Sequence, residues 1–167
     1  MKQRDHLNQM PIATKSGKIE ISKEIETAEL AKKLTKIIKK GDVVFFYGEI
    51  GVGKTTFIRH LINNFQINNN LTLTEVTSPT FNIVNEYEVN DLVIQHFDLF
   101  RLKNENETKN IGLLENSSKI ITLIEWPKII KKKPINVIEL YFEYGKDLET
   151  RFLSINGLDK KKINELR

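Results

Sequence analysis

The sequence predicts an α/β fold, a mixed β-sheet with a parallel core and an antiparallel hairpin flanked by helices, and three observations lead there. Two runs, 43-VVFFY-47 and 120-IITLIEW-126, are continuously apolar and bounded by turn residues, the pattern of strands buried on both faces. A segment with helix-spaced apolar residues, 54-KTTFIRHLINNF-65, follows the first run after a glycine-rich stretch. Two β-rich segments, 81-FNIVNEYEV-89 and 92-LVIQHFDLF-100, are separated only by Asn90 and Asp91, the spacing of a hairpin.

Taken in order, residues 1–16 lack any periodicity and are expected to form an extension ahead of one domain over residues 17–167. The alternation in 18-KIEIS-22 predicts a short strand, and Ser22 is placed to cap a helix whose first turn carries Glu24 and Glu26. Ile25, Ala28, Ala31, Leu34 and Ile38 then form a stripe at helical spacing, closed by Lys39, Lys40 and Gly41 as a cationic last turn and C-cap. In the second helix Phe57, Ile58, Leu61, Ile62 and Phe65 fall on one side. The charged segment 103–118 has room for a short helix, Pro127 ends the second buried strand, and 135-INVIELYFEY-144 and 151-RFLSI-155 predict two further strands. No repeat and no interior linker divides the chain.

The totals agree with one domain. A chain of 167 residues with 40% hydrophobic residues builds one sizeable core and is too short for two ordinary ones. With no cysteine, disulfides, thiolate metal sites and thiol nucleophiles are excluded, so any catalysis rests on oxygen, nitrogen or a hard cation. No window approaches the roughly 18–20 apolar residues of a membrane span, and the first residues have no apolar stretch behind their charges, so a cytoplasmic protein with no membrane partner is expected. The net charge of +4 and pI near 9.1 come from lysines spread along the chain. Their densest group, Lys128 with Lys131, Lys132 and Lys133, reads as a solvated loop rather than a nucleic-acid face.

The stretch 48-GEIGVGKTTF-57 fits G-x-x-x-x-G-K-[ST] at Gly48, Gly53, Lys54 and Thr55. Its flanks are a buried strand and a helix, the context that separates a phosphate loop from a chance match. The fold class sharpens accordingly to a single P-loop NTPase-like domain. In such a loop glycines let successive N–H groups and the helix N-terminus face one anion. The expected ligand is a nucleotide polyphosphate held by Glu49, Ile50, Gly51, Val52, Gly53, Lys54, Thr55 and Thr56. Lys54 reaches the terminal phosphates, the Thr55 hydroxyl ligates Mg²⁺, and Thr56 touches the phosphate nearest the sugar.

Phosphoryl transfer also needs an acid near the metal. Glu125 and Asp98 each end an apolar run, and the carboxyl ends of central strands are where ligands of open α/β sheets collect. The segment 77-TSPTF-81 reads as a simple turn or as a nucleotide-ordered switch acting through Thr77, Ser78 and Thr80. On spacing alone His96 is a satisfied strand histidine and Trp126 a packing residue.

Together GEIGVGKTTF, TSPTFNIV, HFDLFRL and LIEWP, in that order, resemble the bacterial TsaE (YjeE) ATPases from about Lys18 to about Gly157. The resemblance implies that Lys54, Asp98 and Glu125 are catalytic, that Thr55 and Glu125 hold the metal, that Thr80 belongs to a switch-like loop, and that Trp126 packs near the nucleotide. It sets Glu24 and Thr27 where the family's amino-terminal segment approaches the base. The implied cofactors are ATP and Mg²⁺. The implied partners are TsaB and TsaD, which carry out threonylcarbamoyladenosine (t6A) modification of tRNA, so tRNA is reached through the complex. The chain departs from the family at 112-GLLENSS-118, where an acidic and aromatic pair often follows the glycine. Two alternatives share the loop: a small-molecule phosphotransferase with Arg101 as a phosphate clamp, and a nucleotide-binding module without turnover. A GTPase is disfavoured, since neither N-K-x-D nor D-x-x-G occurs.

Overall fold

A computed structural model describes residues 17–166; the expected extension over residues 1–16 lies outside the described residues. Strands β1 (Ile19–Glu20), β2 (Val43–Tyr47), β3 (Val84–Val89), β4 (Leu92–Asp98), β5 (Ile121–Glu125), β6 (Val137–Tyr144) and β7 (Arg151–Asn156) form one sheet in the order β1-β7-β6-β2-β5-β4-β3. The four central strands β6, β2, β5 and β4 run parallel, while β3 joins β4, β7 joins β6 and β1 joins β7 antiparallel. The expected mixed sheet, parallel core and hairpin are therefore all present. Among the described residues no helix is long and apolar enough to cross a membrane.

The apolar runs occupy the centre because both of their faces need cover. Val44 and Phe46 of β2 pack beneath helices α1 (Glu24–Thr35) and α2 (Lys54–Asn68), whereas Val43 and Phe45 face a second cluster with Phe97, Leu99, Ile124 and Ile130. That second face is covered by loops that flank the short helix α3 (Asn106–Asn110), through Leu102, Ile111 and Ile129 among others, not by long helices. Leu113 and Leu114, in the stretch that departs from the family pattern, pack on it. In α2 the five residues on the expected side are all buried, each contributing about 1.5–3 kcal/mol through removal from water.

Several boundaries differ from the sequence reading. Lys23, not Ser22, is the N-cap of α1, and the Glu26 carboxylate accepts its N–H at 2.9 Å. The Ser22 hydroxyl instead donates to Glu20 and accepts the Arg151 N–H, tying β1 to β7. The buried stripe of α1 is Thr27, Leu30, Ala31 and Leu34, which leaves Ile25 56% exposed on another face. The helix stops at Thr35 rather than running to Gly41, because Asp42 turns the chain by accepting the Lys39 N–H and Gly41 bonds to Ile120. Residues 81–83 do not join β3: Ile83 bonds back to Pro79 with φ +69, a turn that ends the pairing. A C-terminal helix α4 (Lys160–Leu166), not foreseen, lays the fully buried Leu166 near α1, where Lys33 donates to the Leu166 carbonyl.

Candidate functional site

The site grows from the carboxyl ends of the parallel strands. β2 delivers the chain into residues 48–53, and α2 begins at Lys54. Two glycines are indispensable to that turn. Gly48 has φ +144, and a Cβ there would lie 2.7 Å from the Phe142 carbonyl oxygen; Gly53, the N-cap of α2, has φ +110 in open space. Both conformations strain any residue with a side chain. Val52 anchors the loop from within, its side chain fully buried in the core.

Beside this loop lies a cleft of about 310 Å³. Ile50, Gly51, Gly53, Lys54, Thr55 and Thr56 form one wall, Ser78 and Thr80 the facing wall, and Asp98, Phe100, Glu125 and Trp126 complete the lining. Of the residues expected in the loop, Glu49 and Val52 do not border this cleft. They border a larger, more apolar hollow of about 520 Å³ with Phe142, Tyr144 and Leu148. We take the smaller cleft as the site because both acids, Lys54 and Thr55 converge there and none of them lines the larger one.

The acids are register partners: Asp98 and Glu125 sit side by side at the ends of β4 and β5. Each is nearly buried, at 3% and 2% exposure, so each needs donors. Glu125 Oε1 accepts from the Thr55 hydroxyl at 2.9 Å and lies 2.9 Å from His96 Nε2. Asp98 Oδ2 accepts from the Ser78 and Thr80 hydroxyls, both at 2.8 Å, and Oδ1 accepts the Phe100 N–H at 2.9 Å. Thr77 stays outside the cleft, where its carbonyl accepts from Asn85.

Lys54 supplies the positive charge. Its ammonium donates to the Gly48 and Glu49 carbonyls at 2.9 and 2.8 Å and lies 4.1 Å from the centroid of the Trp126 ring. Burial pushes this group below the ordinary lysine value, while Glu125 and Asp98 pull it back up. A cation enclosed by carbonyls, a ring face and two acids stands ready to exchange those partners for an anion. Trp126 takes up its place through an uncommon backbone: φ is +58 and ψ +48, directly before Pro127. For a residue with a side chain that conformation costs roughly 1–2 kcal/mol, and it lays the indole between Lys54 and Phe100.

Glu24 and Thr27 line a further cavity of about 270 Å³ that shares Gly51, Gly53 and Thr56 with the cleft and includes Arg151. A hydrogen bond with His60 holds the Glu24 carboxyl below its usual value. Arg101 borders neither space; its guanidinium lies 5.4 Å from the exposed Phe81 ring.

Spacing alone reads His96 as a satisfied strand histidine with no named partner; in the structure it is fully buried and its partner is Glu125. The signal was present in the strand period: Ile94, His96 and Asp98 alternate onto one face of β4, so His96 shares the face of an acid. No sequence signal pointed to the left-handed backbone of Trp126.

Three comparisons bear on this geometry. The family model described as "Threonylcarbamoyl adenosine biosynthesis protein TsaE" matches residues 21–152. A protein named tRNA threonylcarbamoyladenosine biosynthesis protein TsaE from Rickettsia felis is 40% identical over 111 residues, covering 66% of this chain and 63% of that protein. The chain thus matches less than two thirds of that relative's length. Proteins of the same name from Aquifex aeolicus and Bacillus subtilis are 31% and 34% identical, over 71% and 65% of this chain and 80% and 65% of their own lengths. The crystal structure of Bacillus subtilis YdiB superposes with a TM-score of 0.67 at 25% identity, covering 89% of this chain and 92% of that one.

Proposed function

This chain belongs to the TsaE family, and from that premise we propose that it is a P-loop NTPase-like, Mg-ATP-dependent ATPase of the cytoplasm. Its turnover supports threonylcarbamoyladenosine formation on tRNA through the TsaB–TsaD pair. The observation that carries the reading is the convergence of Lys54, Thr55, Asp98 and Glu125 on one cleft beside the glycine loop.

The donor set fits the ligand. Loop N–H groups, the start of α2 and Lys54 suit a polyphosphate, and the cavity at Glu24, Thr27 and Thr56 suits the nucleoside end. Among the described residues no group of three or more His, Asp or Glu side chains is arranged to hold a metal alone. That fits Mg²⁺, which takes one or two protein oxygens and completes its shell with phosphate and water. Thr55 and Glu125 would hold it, and its charge would offset that of the phosphates. In this reading Lys54 leaves the Gly48 and Glu49 carbonyls to face the terminal phosphates. Glu125 and Asp98 orient the attacking water and the loop 77–81 around it.

Calorimetric titration tests the reading. Mg-ATP is expected to bind in preference to Mg-GTP, and Lys54→Ala is expected to weaken binding by removing the facing cation. Equal affinity for both nucleotides, or an unaltered Lys54→Ala titration, would overturn it.

A further inference from the structure

Both described donors to Glu125 meet on one oxygen. Oε1 accepts from Thr55 Oγ1 and neighbours His96 Nε2, each at 2.9 Å, while no described residue donates to Oε2 in this cleft-lining side chain. His96 is fully buried, and its other ring nitrogen, Nδ1, is buried with no hydrogen-bond partner among the described residues. An ionised carboxylate only accepts hydrogen bonds. Nε2–H of His96 is therefore the donor to Oε1.

We propose that His96 is a positioning residue that works through Glu125 to aim Thr55. A hydroxyl has one proton and two lone pairs. Because Thr55 spends its proton on Oε1, both lone pairs of Oγ1 turn away from Glu125 and are available to a cation. That orientation holds only while Oε1 stays in place, and His96 fixes it from inside the sheet. Oε2 is then left free for the cleft. The arrangement is a histidine–carboxylate–hydroxyl relay of position, with no proton transferred along it.

This inference rests on the Mg-ATP reading above, and its test separates the two. In the full-length chain, ATP binding is followed by the fluorescence of Trp126, the only tryptophan, across a Mg²⁺ series and in EDTA. His96→Asn places its amide short of Oε1, whereas His96→Gln extends an N–H donor further towards it. The expected result is a rise of about 10–100-fold in the Mg²⁺ concentration required by His96→Asn, the usual scale for losing an outer-shell partner. Affinity in EDTA stays within about two-fold, and His96→Gln recovers most of the loss. A merely structural role would move both affinities together and would not distinguish Gln from Asn. A Mg²⁺-dependent wild type with an equally Mg²⁺-dependent His96→Asn variant would overturn the positioning role alone. A wild type indifferent to Mg²⁺ would overturn the parent reading and this inference with it. If His96→Asn does not fold, ring ¹⁵N shifts of the unmutated chain decide: Nε2 protonation supports the proposal and Nδ1 protonation overturns it.

Discussion

The two walls of the cleft are built by opposite means. The glycine loop takes its shape from the core: Gly48 lies against the Phe142 backbone, Val52 is buried beneath it, and Phe57 secures the first turns of α2. The facing loop, residues 77–83, has only Val76 and Pro79 buried at its root. It is closed by two hydroxyls on Asp98 and by the turn at Ile83, a β-branched residue at φ +69, which is a strained conformation for such a side chain. The acids divide in the same way, Glu125 held from the interior by Thr55 and His96 and Asp98 held from the surface loop. The lesson is that one wall is fixed before any ligand arrives. The other can rearrange by exchanging contacts with a single carboxylate.

The largest effect is expected at the interior acid. Glu125→Gln keeps the shape and removes the charge. Hydrolysis should fall by about 10²-fold or more, on the scale of losing one transition-state contact, while ATP affinity changes far less. Single-turnover kinetics beside equilibrium binding measure both. Should Glu125→Gln and Asp98→Asn both turn over at the unmutated rate, the two-acid assignment is wrong.

Next comes the fixed wall itself. In Gly48→Ala the new methyl meets the Phe142 carbonyl at 2.7 Å at a φ that side chains avoid. Chemical denaturation should show a loss of about 1–3 kcal/mol, the range for a strained backbone position. A variant as stable as the parent would mean that this wall yields, and the contrast between the walls would disappear.

On the other wall, Ser78→Ala combined with Thr80→Ala removes both hydroxyl donors to Asp98. Net stability should drop by only about 1 kcal/mol, since Ser78 is exposed and water can replace the donors. Amide exchange over residues 77–83 should nevertheless accelerate markedly while residues 48–56 stay protected. Equal acceleration in both loops would show that they move as one body.

Much of the fold behind this contrast is legible in the sequence, and the limits are physical. Buried strands declare themselves through runs such as Val43–Tyr47, and α2 through a strong apolar stripe, because burial on a regular element imposes a period. Only residues 81–83 of the facing loop read as the start of β3, because Phe81 and Ile83 have strand-favouring side chains, and the tertiary turn at Pro79 and Ile83 cancels that preference. In α1 the stripe read through Ile25 passes over the fully buried Leu30, because a weak stripe leaves open which side meets the sheet. Helix α4 escaped because it is short and polar, with Leu166 as its one buried residue. The pairing of His96 with Glu125 joins residues 29 positions apart, a matter of strand order that composition does not encode.

The smallest effect on stability is expected at Phe81, at the tip of the movable wall. Its ring is 86% exposed and its noted ring contact is the Arg101 guanidinium at 5.4 Å. Phe81→Ser should therefore shift unfolding by no more than about 0.5 kcal/mol, the ordinary range for a surface change. An apolar ring held in water at the tip of the loop that donates to Asp98 contributes little to folding and is exposed to any docking partner. If the TsaB–TsaD pair prefers the ATP-ordered form of this loop, linkage requires that ATP tighten the association and that the pair tighten ATP binding by the same factor. The isolated chain should then hydrolyse ATP slowly, because a stabilising charge supplied by a partner can change turnover by roughly 10³–10⁵-fold. Phe81→Ser should leave slow basal turnover and Tm unchanged and abolish most of the stimulation. An isolated chain already as fast as the complex, with association indifferent to nucleotide, would remove the reason for a movable wall.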